Sequence, residues 1–179
     1  MSGMLDMIGI SIDAATEDGN IRVGRCNMNG VPNFDQLARI SDIIHTNGIR
    51  LKINTVVSKL NLHEDLNYVY GRLRPNKVKL FYMHVVDNIN ASARTLEPTR
   101  EEYESFVKKI SVSNCEMVVE GPQSMQNAYF MINPAGECYL NDNGTEKKYG
   151  SCLEKSLTTI FEKLPISEEK FLIRYSKAV

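Results

Sequence analysis

The chain has 179 residues, with 21 Lys+Arg against 22 Asp+Glu and 42% apolar residues, enough to build a hydrophobic core without metal or disulfide staples. That composition excludes a disordered tail, and the balanced charge argues against a non-specific nucleic-acid or acidic-membrane binder, so any anion site is local. No apolar run approaches the roughly 20 residues of a membrane-spanning helix and nothing near Met1 reads as a secretory signal. The chain is therefore expected to be cytoplasmic, with Cys26, Cys115, Cys138 and Cys152 as free thiols.

In chain order, Met7-Ile8-Gly9-Ile10-Ser11-Ile12-Asp13 predicts a first strand, followed by a polar loop running to Pro32. Asn33 and Gln36 form an N-terminal capping signal for a helix with Leu37, Ile40 and Ile44 on its buried face, ended by Asn47-Gly48. Arg50 to Val57 (RLKINTVV) reads as a second strand, and the helix after Asn61 carries Leu66, Val69, Tyr70 and Leu73 on one face until Pro75. Lys77 to Val85 predicts a third strand, Asp87 to Pro98 a long polar loop, and Thr99 with Glu102 caps a helix bearing Tyr103, Phe106, Val107 and Ile110.

Beyond residue 112 the texture changes. CEMVVE from Cys115 reads as a strand, and Ala128 to Asn133 and Glu137 to Leu140 flank a turn, Asn133-Pro134-Ala135-Gly136, as a hairpin. The Lys147-Lys148 pair reads as a charged turn. Ser151 and Glu154 predict a cap for a helix with Leu157, Ile160, Phe161 and Leu164 inside, and a last short helix follows Pro165 and Ser167. The expected organisation is thus three βα units over residues 1–112 and an extension of strand, hairpin and two helices over 113–179. Three βα units leave a parallel sheet open, so its edge is expected to be covered by another copy or by an absent N-terminal portion.

Alternation along the strands assigns faces. Lys52, Asn54 and Val56 point together, as do Lys77, Lys79, Phe81 and Met83; the more apolar alternates belong against the helices. The lysine sets then face a lumen or cleft, where unpaired buried charge is costly and an anionic partner is required. Lysines near strand ends can instead snorkel to water, and for any one of them the two readings weigh equally. On the first strand Gly9, Ser11 and Asp13 share a small polar face, and Arg25 is a candidate phosphate fork. Asp13, Glu17 and Asp18 lack a calcium-loop spacing, His45, His63 and His84 form no HxH or HxxxH pair, and no metal site is assigned. No Walker loop, GxGxxG or catalytic relay is present.

The runs Leu5-Asp6-Met7-Ile8-Gly9-Ile10-Ser11-Ile12-Asp13, Ile21-Arg22-Val23-Gly24-Arg25 and Lys52-Ile53-Asn54-Thr55-Val56-Val57 closely resemble the viperin-like radical S-adenosylmethionine enzymes of antiviral defence. The likeness continues through Lys77-Val78-Lys79-Leu80-Phe81, Met125-Gln126-Asn127-Ala128-Tyr129 and Ser167-Glu168-Glu169-Lys170-Phe171-Leu172. It implies an α/β fold, the C-terminal half of a partial (β/α) radical-SAM-type barrel. It also implies S-adenosylmethionine and a [4Fe-4S] cluster as cofactors of the parent enzyme, and a nucleoside triphosphate (CTP, UTP or GTP) converted to its 3′-deoxy-3′,4′-didehydro form. On that resemblance Ser11 and Asn54 contact S-adenosylmethionine, and Arg25, Lys52, Lys77, Lys79 and Lys147 line the triphosphate site. Tyr129 and Lys79 are the catalytic candidates. The family's CxxxCxxC motif and Gly-rich motif belong to βα units placed before this sequence, and its aromatic C-terminus falls beyond Val179. None of the four cysteines stands at the needed spacing. Two further readings remain: a cluster-less nucleotide-binding module, and an ordinary dinucleotide- or flavodoxin-type fold with chance similarity.

Overall fold

The computed structural model describes residues 3–26, 28, 30–31, 33–86, 89–124, 126–142 and 145–170. Pro32, Asp87, Met125, Phe171, Leu172 and Val179, named above, lie outside them. The chain forms two compact units, one of Met1–Met83 with Leu96–Glu120, the other of His84–Thr95 with Gly121–Val179.

In the first unit four strands form one parallel sheet in the order β1 (Met7–Ser11), β2 (Arg50–Val57), β3 (Lys77–Tyr82) and β4 (Glu116–Glu120). Helices α1 (Glu17–Arg22) and α2 (Phe34–Thr46) join β1 to β2, α3 (Asn67–Leu73) joins β2 to β3, and α4 (Arg100–Lys109) precedes β4. Leu51, Ile53 and Val57 of β2 and Val78 and Leu80 of β3 are fully buried on the helix side. There they form one core with Leu37 and Ile44 of α2, Val69, Tyr70 and Leu73 of α3, and Tyr103 and Phe106 of α4. The polar atoms in that core are paired. Thr55 Oγ1 lies 2.6 Å from the Ile12 carbonyl and 2.8 Å from the Tyr70 hydroxyl, and burial raises the Tyr70 pKa so that the phenol stays neutral. The Tyr103 hydroxyl donates to the Leu80 and Glu120 carbonyls, both at 3.0 Å, tying β3 to β4.

Several expectations are met and several corrected. Asn33 accepts from the Gln36 N–H, and Thr99 with Glu102 makes a full capping box. The loop after β1 contains α1, because Thr16 caps it by accepting from the Gly19 N–H. On α2 Ile40 is 41% exposed and Ser41 takes the buried position, where its hydroxyl donates to the Leu73 carbonyl. The helix after Asn61 starts only at Asn67, β3 ends at Tyr82, and the polar loop holds a 3₁₀ turn over Ala91–Leu96. The strand expected to open the extension is the fourth member of the parallel sheet, since β4 bonds in register to β3.

The second unit is built on an antiparallel sheet, β5 (Met131–Ile132), β6 (Glu137–Asp142) and β7 (Thr145–Ser151), followed by α5 (Leu157–Phe161). The hairpin at Asn133-Pro134-Ala135-Gly136 forms as expected, with Asn133 Oδ1 accepting from the Ala135 and Glu137 N–H groups. Lys147 and Lys148 stand in β7, not in a turn. Ser156 caps α5 in place of Ser151, and Leu157 and Phe161 are 49% and 54% exposed while Ile160 is buried.

One side chain holds the ends of β1 and β2 together. Asn61 is fully buried; its Nδ2 donates to the Asp13 carbonyl at 2.7 Å and the Val56 carbonyl at 2.8 Å, and its Oδ1 accepts from the Ser58 N–H at 2.8 Å. Asn61→Ala strands all three partners and is expected to lower stability by about 2–4 kcal/mol in urea unfolding.

Candidate functional site

Register places the expected side chains in rows across the non-helix face of the parallel sheet. Gly9, Lys52, Lys77 and Glu116 align in one row, and Ser11, Asn54, Lys79 and Val118 in the next. Parallel pairing alone brings four of the candidate residues, Lys52, Asn54, Lys77 and Lys79, together on β2 and β3, with Ser11 beside Asn54 on β1.

The cations differ in what they touch. Lys77 Nζ sits 3.0 Å from Glu116 Oε1, and the other oxygen of that carboxylate is 3.7 Å from Arg50 Nη2. Lys79 is paired with Glu120, whose side chain is only 4% exposed, and its ammonium lies 4.9 Å from the Phe81 ring centroid. Arg25 Nε donates to Asp13 Oδ2 at 2.5 Å, and Asp13 Oδ1 accepts the Val56 N–H at 2.7 Å. Lys52 has no carboxylate partner among the described residues. Its chain crosses β1 above Gly9, where a Cβ would stand 3.3 Å from Lys52 Cε. Beside it, Asn54 Oδ1 is buried without a hydrogen-bond partner, and Ser11 is exposed in the same row. A buried amide oxygen without a partner among the described residues leaves an acceptor that a donor group of a ligand can satisfy.

Asp13 therefore serves as a buried anchor; Glu17 and Asp18 stay exposed in the first turn of α1. Glu116, Glu120 and Asn61 were missed from sequence. The two glutamates are four residues apart on one strand, so they share the face of Lys77 and Lys79 once β4 is known to pair with β3.

Tyr129 and Lys147 belong to the second unit. Tyr129 precedes β5 instead of beginning a strand, and lines a mostly apolar pocket of about 530 Å³ with Phe130, Phe161, Leu164, Ile166 and Glu168. Lys147 is exposed on β7 with its ammonium 5.9 Å from the Tyr149 ring centroid.

For the implied groups the donor sets give opposite answers. Ser11 and the open Asn54 Oδ1 fit a polar adenosyl ligand. The residues present do not fit an iron–sulfur cluster: no three His, Cys, Asp or Glu side chains converge among the described residues.

Fold and site define an α/β protein with a cation-lined polar face. No protein-family model matches the chain. It is 33% identical to the S-adenosylmethionine-dependent nucleotide dehydratase of Flammeovirga pacifica, across 95% of the chain and 59% of that protein. It is 31% identical to the protein of that name from a Thermoplasmatales archaeon, across 83% of the chain and 52% of the relative. A relative from Oncorhynchus mykiss is 25% identical, across 98% of the chain and 51% of the relative. The chain is related along most of its length to these viperin-like S-adenosylmethionine-dependent nucleotide dehydratases, which sets aside the chance-similarity reading, and it spans about half the length of the curated relatives it matches.

Pairing separates two kinds of lysine. Lys79→Met leaves the Glu120 carboxylate buried without its ammonium and is expected to cost about 3 kcal/mol in denaturant unfolding. Lys52→Met, which orphans no carboxylate, is expected to change stability by no more than about 0.5 kcal/mol.

Proposed function

We propose that the chain is the C-terminal part of a viperin-like enzyme of antiviral defence and supplies its nucleoside-triphosphate site, with the first unit as a piece of a partial (β/α) barrel. The reaction proposed for the whole enzyme is loss of water from CTP, UTP or GTP to give the 3′-deoxy-3′,4′-didehydro nucleotide. The observation that carries the reading is the Lys52 ammonium, without a carboxylate partner among the described residues, on a face shared with Lys77 and Lys79. The printed name of the relatives, S-adenosylmethionine-dependent nucleotide dehydratase, supports it.

In this reading Lys52, Lys77, Lys79 and Arg25 hold phosphate oxygens by charge-assisted hydrogen bonds, with Lys147 a further contact. Ser11 and Asn54 orient S-adenosylmethionine, which when bound supplies the adenosyl group that takes a ribose hydrogen. Tyr129 is the candidate proton donor or acceptor. No step of cluster chemistry is assigned to this chain's residues. A cytoplasmic setting follows from the nucleotide substrate.

A second reading, a nucleotide-binding module without catalysis, is favoured by the absence of a converging thiol set among the described residues. Reading the coding DNA ahead of Met1 separates the two. An in-frame CxxxCxxC supports the enzyme, and its absence supports the module.

Both readings require binding. Titration calorimetry with CTP, UTP and GTP is expected to give heat for at least one of them, and Lys52→Ala is expected to weaken that binding by about 1.5–3 kcal/mol without loss of stability. No heat with any of the three, or unchanged affinity in Lys52→Ala, overturns the triphosphate site.

A further inference from the structure

The second unit places two thiols around one glycine. Gly136, at φ 77° in the β5–β6 turn, lets the segment after β7 close over it: a Cβ there would stand 2.7 Å from Leu153 Cγ and 3.5 Å from Cys152 Sγ. The Cys152 N–H donates to the Gly136 carbonyl at 2.9 Å. The Cys138 thiol donates to the same carbonyl at 3.9 Å. Register makes this a same-face arrangement, since Cys138 opposes Gly150 across the β6–β7 pair and the ladder shifts between Cys138 and Tyr139. The thiols are close enough to feel each other: after burial, the Cys152 side chain is the next cause that pushes the Cys138 thiol pKa up. Cys138 is fully buried and Cys152 only partly so, and both are reduced.

We propose that Cys138 and Cys152 form a reversible redox pair, in which a hydroperoxide oxidises Cys152 and Cys138 resolves it to an intrachain disulfide. The sulfur of the partly buried Cys152 attacks the peroxide; the S–O bond forms, the O–O bond breaks, and one water leaves. The Cys138 sulfur then attacks the Cys152 sulfur; the S–S bond forms, the S–O bond breaks, and the departing hydroxide leaves as a second water with the Cys138 proton. Two thiols are oxidised and one hydrogen peroxide is reduced to two waters. The roles follow from the microenvironments, because the less buried of the two residues meets the oxidant first and a fully buried, protonated thiol does not. The ring so closed contains all of β7 with Lys147 and Lys148, so oxidation pins that strand.

The test treats the reduced full chain with stoichiometric hydrogen peroxide, blocks remaining thiols with N-ethylmaleimide in denaturant, and digests with trypsin. Cleavage at Lys147 and Lys148 parts the two cysteines, so a linked Cys138–Cys152 peptide pair, short of two hydrogens and released by dithiothreitol, is the expected main product. Exposed Cys26 reports general oxidation. Cys152→Ser is expected to abolish the pair and leave Cys138 as the maleimide adduct. If Cys138 and Cys152 of the unaltered chain are both recovered as maleimide adducts while Cys26 is oxidised, or if the links formed run between chains, the proposal fails. That measurement on the unaltered chain decides the matter even where the variant does not fold.

Discussion

The carboxylate of Asp13 sits just past the end of β1 and is buried, with the Val56 N–H on one oxygen and the Arg25 guanidinium on the other. A buried carboxylate is tolerable only when both oxygens are met, so this one side chain ties three segments to one another: the exit of β1, the far end of β2 and the turn after α1. The Asp13 carbonyl is in turn held by Asn61, and the Asp13 N–H lies 3.3 Å from the Asn20 side-chain oxygen. The carboxyl ends of the two strands, where parallel α/β sheets place their ligands, are thereby fixed by hydrogen bonds that apolar packing alone does not supply.

Close backbone approach is the steric counterpart of that network. A Cβ on Gly19 would stand 2.7 Å from Ala14 Cβ and 2.9 Å from both Glu64 Oε1 and Thr16 Oγ1, so only glycine lets α1 fold back against the turn that carries Asp13. Glu64 is held there because its other oxygen accepts the Ala15 N–H at 2.8 Å. Gly9 does the same for the site itself, since the strand surface it leaves bare is where the Lys52 chain lies. Small residues on β1 thus shape the face as much as the charged ones on β2 and β3 do.

Alternation in RLKINTVV and KVKLFY was enough to assign both faces of β2 and β3, because strand periodicity is local and strong, and the helix caps at Asn33 and Thr99 were legible for the same reason. What failed was long-range or marginal. The sequence CEMVVE reads as a strand but carries no mark of its partner, so β4's place beside β3, and with it the pairing of Glu116 and Glu120 to the lysines, appears only in three dimensions. Lys147-Lys148 read as a turn because an exposed, two-sided polar strand has no hydrophobic period. Asn61 looked like a helix start because an Asn side chain satisfies backbone groups in turns as readily as at caps, and only the backbone around it tells which. Within the site, Lys52, Asn54, Lys77 and Lys79 were placed together from strand alternation, and Ser11 only on the small polar face of β1. The split between paired and unpaired cations was not.

That split changes what a cationic face means. Among the described residues Arg25, Arg50, Lys77 and Lys79 are each met by a carboxylate of Asp13, Glu116 or Glu120, with Glu116 shared between Arg50 and Lys77, and Lys52 is met by none. An anion reaching Lys52 gains a charge-assisted bond to an ammonium that was making none. Reaching Lys79 or Arg25 it must share or displace a buried carboxylate, trading one such bond for another while leaving a buried glutamate or aspartate less well neutralised. Equal lysine chemistry in the sequence therefore becomes unequal affinity in the fold. On the proposed reading the strongest hold on a polyanion falls on Lys52, where no carboxylate of the described residues intervenes, with the paired cations setting orientation around it.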